Sequence, residues 1–231
     1  MKRPWTIVLV LVIVLAAVAG GDQIARVYLQ NRTADEIEAR YGGAADVHLG
    51  GWPFVLAALT RRLPDAHATI TGAQVANEGK KATVEVIDVT IKGLSPITEL
   101  DDATAEQVDA TATISWNQLS VLLGFPIERA GDGRIEVRTS VQVLQRVIPL
   151  VLQTDLTLQP DGTLVLNNPG ISVADFDLPL PSGILQLAID QLTPDLKLPT
   201  PGGLSYQSLD IGQNSVTIQL TGQDIALSDF R

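Results

Sequence analysis

Few residues in this chain are equipped for chemistry. Only two histidines, His48 and His67, are present, and there is no cysteine. A zinc centre would need both imidazoles and a carboxylate, and their separation matches no ligand motif, so they are expected as surface or strand residues and no metal site is expected. Acidic pairs occur at Asp101-Asp102 and at Asp175 with Asp177. Two acids across a cleft can hydrolyse a glycosidic bond, but among 26 Asp and Glu residues such pairs also arise as solvated loops. No G-x-S-x-G, Walker-type loop or G-x-G-x-x-G occurs, so nucleophile-elbow, phosphate-loop and dinucleotide readings lack their starting residues. No catalytic residue and no cofactor is expected.

The other chemically pointed segment runs from Gly50-Gly51-Trp52-Pro53-Phe54 through Leu56 and Leu59 to Arg61-Arg62. Trp52 and Phe54 could fill a core corner, or they could wall an apolar cavity where rigid rings suit hydrocarbon. Arg61 and Arg62 are an adjacent cation pair on a strongly acidic chain. An Arg fork suits a phosphate, although solvated surface is the commoner role for such a residue.

Composition narrows the partners. The chain has 231 residues, a formal net charge of −10, 45% hydrophobic residues and 4% aromatics. Two of its 16 basic residues are Lys2 and Arg3, so the remainder is more acidic still. Such a surface repels phosphate polymers and offers few stacking rings, which disfavours nucleic acid. Without disulfides the fold must rest on buried apolar area, and the length allows one domain over 22–231.

Lys2 and Arg3 precede a span that is uncharged from Pro4 to Gly21, at the lower limit of the roughly 17 to 25 residues that cross a bilayer. Ala17-Val18-Ala19 has the small-x-small pattern of a signal-peptidase site. Residues 1–21 are therefore either a signal peptide cut after Ala19 or an N-terminal membrane anchor. Either places the domain outside the cytoplasm, in the periplasm or cell envelope.

The elements that must position these residues are mostly strands. An amphipathic helix is predicted from Asp22 to Tyr41, with Ile24, Val27, Tyr28, Ala34, Ile37 and Tyr41 on one stripe. Period-two alternation predicts a strand from Arg134 to Val143 and a hairpin from Leu150 through Pro160-Asp161-Gly162 to Leu166. Less regular strands are predicted at Ala66 to Thr71, Ala82 to Ile91, Val108 to Ile114, Gln207 to Ile211 and Val216 to Leu220. Two short helices interrupt them. Ser115 and Gln118 have capping-box spacing before Trp116, Leu119, Leu122 and Leu123, with Gly124 as the stop. Ser182 caps a second, carrying Leu185, Ile189 and Leu192 at helical spacing before Pro194. The result is an α+β domain with one large, one-faced antiparallel sheet.

Gly50-Gly51-Trp52-Pro53-Phe54, Asp65-Ala66-His67-Ala68-Thr69-Ile70, Ser115-Trp116-Asn117-Gln118-Leu119, Leu178-Pro179-Leu180-Pro181, Gln213-Asn214-Ser215-Val216-Thr217-Ile218 and Gly222-Gln223-Asp224-Ile225-Ala226-Leu227 together resemble the actinobacterial lipomannan elongation factor A family. The resemblance implies a strongly curved sheet, a half-barrel wrapped around or covered by a few helices, akin to the tubular lipid-binding superfamily. It implies phospholipid and membrane as partners, and a role in lipoglycan (mannan) assembly beside envelope glycolipid-synthesis enzymes. It also implies a Gly before the basic residue of the turn after the Pro-Phe corner, where this chain has Arg61-Arg62-Leu63-Pro64.

On that basis Trp52, Phe54, Leu56, Leu59, Leu122, Leu123, Phe125, Leu185, Ile189 and Leu192 are expected to line an apolar groove, with Arg61 or Arg62 at a headgroup. A fully packed structural or partner-binding domain is the rival expectation. An envelope hydrolase or transferase using an acidic pair ranks last.

Overall fold

The computed structural model describes residues 23, 25–51, 54–77, 79–97, 102–143, 146–173, 183, 197–198 and 202–230. The expected leader or anchor at 1–21, and nearly all of the expected helix over 182–193, lie outside them. A helix over 25–41 (α1) leads into strand β1 (Ala44–Leu49), and helix α2 (Phe54–Thr60) separates β1 from β2 (Leu63–Asn77). Long strands β3 (Lys80–Ser95) and β4 (Thr104–Ser115) follow, then helix α3 (Trp116–Leu123). A short β5 (Ile127–Arg129) leads into β6 (Ile135–Val143), β7 (Arg146–Leu158) and β8 (Leu164–Val173). The chain closes with β9 (Ser205–Ile211) and β10 (Ser215–Ala226).

The strands form two antiparallel sheets rather than one, with orders β1-β2-β3-β4-β10-β9 and β5-β6-β7-β8. Neither closes into a barrel. One apolar cluster draws on both, joining Val108, Ile114 and Val216 of the larger sheet to Ile135, Val137 and Leu152 of the smaller.

Register explains why the larger sheet is one-sided. Across its six strands run the apolar rows Ala45-Ile70-Ile87-Ala112-Ile218-Leu209 and Val47-Ala68-Val89-Ala110-Leu220-Tyr206. One residue out of phase lie Asp46-Thr69-Asp88-Thr111-Gln219-Ser208 and His48-His67-Thr90-Asp109-Thr221-Ser205. Side chains alternate faces with period two, so over these rows in the middle of the sheet one face is dry and the opposite one is polar. On the polar face Thr69 donates to Asp88 at 2.7 Å and Thr221 to Asp109 at 2.6 Å.

α3 is held at one end of this sheet. The Lys80 ammonium donates to the Leu123 carbonyl at 2.9 Å, and the Thr83 N–H donates to the Gln118 side chain at 2.8 Å. Gly124 ends the helix at φ 85°, where its N–H reaches the Ser120 carbonyl at 2.8 Å. An added Cβ there would fall 2.1 Å from the Lys80 ammonium. The predicted capping box does not form. Ser115 is still paired in the β4 ladder opposite Ser215 and makes no side-chain cap, while the Gln118 carboxamide is taken by Thr83.

At the far edge, the end of α1 is tied to the start of β1: the Ala45 N–H donates to the Glu38 carboxylate at 2.8 Å. The α1 stripe is only partly turned inward. Ala34 and Ile37 are half-buried, but Val27, Tyr28 and Tyr41 are exposed. None of the described helices is long and apolar enough to cross a membrane.

Candidate functional site

α2 and α3 sit near opposite ends of the larger sheet. α3 touches β3 near Lys80 and Thr83, whereas α2 leads directly into Leu63, which pairs with Leu94 at the other end of β3. Leu94 lies eleven positions along β3 from Thr83, roughly 36 Å at 3.3 Å per residue. The two helical groups expected to line one groove are therefore not brought together.

Their burial differs as well. Trp116, Leu119, Leu122 and Leu123 are buried in the core, and Phe125 packs half-buried against it. Among the described side chains of α2, Ala57 joins the core, while Leu56 and Leu59 are 52% and 74% exposed and do not line an interior. Trp52, Leu185, Ile189 and Leu192 lie outside the described residues, as does the Phe54 side chain.

The turn after α2 separates the two arginines. Arg62 ion-pairs with Glu106, both side chains more than half exposed. An exposed pair of this kind contributes little to stability, but it occupies Arg62. Arg61 is exposed and has no ion-pair partner among the described residues. It adopts φ 54°, the left-handed conformation that glycine takes at least cost, and its carbonyl accepts the Ile97 N–H at 3.0 Å. The residue before Arg62, where the resemblance implied a glycine, is thus an arginine in a glycine-like backbone conformation.

Between the two ends, the dry face is incompletely covered. Ile87, Val89 and Ile91 of β3, a central strand, are only half-buried, as are Ala68 of β2 and Ala112 of β4 beside them. The ends are tight: Leu63, Leu94, Ala105 and Ile225 form a buried row in phase with the polar rows of the sheet's middle, and α3 closes the other end. β-branched side chains on a central strand normally rank among the most buried. Here they form an apolar strip in which each has an alanine beside it in register, Ala112 for Ile87, Ala68 and Ala110 for Val89 and Ala66 for Ile91, and single methyl groups leave the strip shallow-walled. Along the same row Tyr206 is buried, which pushes its phenol up to about 12. The strip was not apparent in the sequence reading, because Ile87, Val89 and Ile91 look like ordinary buried strand residues there. The alanines opposite them in register were the signal.

The expected histidine placement holds in position and adds a pairing. His48 and His67 are direct register partners on the polar face. His67 lies 3.2 Å from the Thr90 hydroxyl and 3.4 Å from that of Thr69, and His48 lies 3.5 Å from Asp46. Among the described residues no group of three or more His, Cys, Asp and Glu side chains could hold a metal ion. The acidic pairs at 101–102 and 175–177 cannot be compared in space, since Asp101, Asp175 and Asp177 lie outside the described residues.

A two-sheet α+β domain whose larger sheet has a partly open apolar strip on one face and polar rows opposite it offers a surface suited to apolar or amphiphilic molecules. Within that class the chain belongs to the LmeA-like phospholipid-binding family, whose model matches residues 20–221. Neither the curated proteins nor the solved structures compared with it gave a match.

Proposed function

We propose that this chain is an extracytoplasmic phospholipid-binding and lipid-transfer protein. Acyl chains lie against the strip made by Ile87, Val89 and Ile91 with Ala68 and Ala112, and the headgroup lies toward Arg61. The observation that carries this reading is the half-buried, apolar central strand on a face that is otherwise dry. The family adds support, being a phospholipid-binding one. The basic N-terminus ahead of the uncharged span to Gly21 supports export or anchoring. The lipoglycan role and the enzymes it would serve follow from the resemblance to the lipomannan elongation factor family, and the fold's wet and dry faces suit the tubular lipid-binding comparison.

Energetics favour exchange over capture. Burying a methylene yields ~0.8 kcal/mol, so about thirty methylenes would gain on the order of 24 kcal/mol relative to water. A lipid drawn from a bilayer already has that burial, so an equally apolar strip leaves a net difference near zero and lets lipid move in both directions.

The test is lipid load. The full chain, released from detergent micelles in a native mass spectrometer, is expected to carry phospholipid. Ala68→Phe and Ala112→Phe, which fill the strip from either side, are expected to lower the load several-fold while melting temperature stays close to that of the parent. Undiminished load in both variants would remove the acyl chains from this face.

A further inference from the structure

We propose that the first two turns of α1, together with α2, form a surface that docks on a phospholipid bilayer. The proposal rests on the reading of the chain as a phospholipid-binding protein and names where that protein meets its lipid source.

Five of the eight large apolar side chains exposed among the described residues fall in these two segments: Val27 at 50%, Tyr28 at 64%, Leu29 at 39%, Leu56 at 52% and Leu59 at 74%. The segments are neighbours in space, because the Arg26 guanidinium donates to the carbonyl of Gly51, three residues before α2 begins. Gly51 makes that approach at φ 84°, with an added Cβ falling 2.8 Å from the Pro64 ring. Exposed apolar side chains gathered in this way mark an interaction surface.

Three features select a bilayer as the occupant. First, the outward side of α1 changes along its length. It is apolar at Val27, Tyr28 and Leu29, and then charged at Asp35, Glu36 and Arg40. The apolar part is the part nearest the uncharged run that ends at Gly21. A face meant for a second copy or a protein groove would have no reason to fade with distance from that run. Second, Tyr28 has the amphipathic ring favoured at headgroup depth. Third, Arg61 adds an exposed cation, without an ion-pair partner among the described residues, immediately after α2 on a chain of net charge −10. At a bilayer that cation meets phosphate. Docking here also sets the α2 end of the larger sheet against the membrane.

The absence of native cysteine makes the test direct. Single cysteines replace Val27, Leu59 or Lys81 in the full chain, each carries a polarity-sensitive fluorophore, and the protein is reconstituted into vesicles of phosphatidylcholine and phosphatidylinositol. Lys81 is the control, because it lies at the opposite end of β2 and β3 from α2. The Leu59 label is decisive, since a label at Val27 would sit beside any anchor. It is expected to shift to the blue and to be quenched by spin-labelled phosphatidylcholine, while the Lys81 label stays water-like. Leu56→Ser with Leu59→Ser is expected to slow phospholipid transfer between vesicles roughly tenfold or more, in line with two leucines no longer entering the apolar layer, without changing the lipid load of the purified chain. A Leu59 label that stays as water-like as the one at Lys81 overturns docking, as does one that is shielded but unquenched, which would mean a second copy or a protein covers the face. Docking with an empty chain would instead remove the binding reading and leave this surface standing. Lipid load with a water-exposed Leu59 would do the reverse.

Discussion

α3 and α2 are short, mostly apolar helices at opposite ends of one sheet, yet they put their leucines to opposite use. α3 buries Leu119, Leu122 and Leu123 and is pinned by Lys80 and Gln118. α2 buries Ala57 and turns Leu56 and Leu59 outward. Hydrophobic content alone therefore separates neither core from contact surface nor stability from function. What separates them is the covering strand and the polar groups that hold each helix down.

The largest effect that would sharpen this contrast is expected in α3. Leu123→Ala should cost about 3 kcal/mol in equilibrium denaturation, through lost burial and the cavity left behind. An effect below about 1 kcal/mol would mean that α3 is not core. Lys80→Met removes the charged donor at the last carbonyls of α3 and should cost about 1 kcal/mol, measurable as a lower denaturant midpoint at unchanged slope. At the other end the sign should reverse. Arg61→Gly relieves a left-handed arginine but loosens the unfolded chain, so a net gain of about 0.5 kcal/mol is expected together with weaker phospholipid binding. A loss of stability there would show that the arginine holds the turn together. Leu59→Ala should be smallest, within about 0.5 kcal/mol of the parent. A cost as large as that of Leu123→Ala would abolish the distinction between the two helices.

Much of the architecture was readable because alternation and helical spacing are local. Ile135, Val137 and Val141 alternating with Glu136, Arg138 and Gln142 give β6, and Trp116, Leu119, Leu122 and Leu123 give α3. The division into two sheets was not readable, since β-pairing depends on partners far apart in the chain. The apolar strip escaped for a related reason: whether Val89 is floor or filler depends on Ala68 and Ala110 beside it in register, and on what lies above them. The pairing of His48 with His67 was hidden by α2, which interrupts the β1-β2 connection and makes their spacing uninformative. Leu56 and Leu59 carried the right chemistry in sequence, but nothing local tells which way a seven-residue helix turns.

The Glu38 carboxylate on the Ala45 N–H bears on how copies of this chain coexist. β1 borders its sheet with only β2 as a hydrogen-bonded neighbour, so its outer amides could recruit a strand from another molecule. The Glu38 carboxylate occupies one of those amides and repels an approaching acidic twin. A protein that displays grease at one tip for its work must stay colloidally well behaved along its flanks, and one carboxylate on α1 contributes to that restraint.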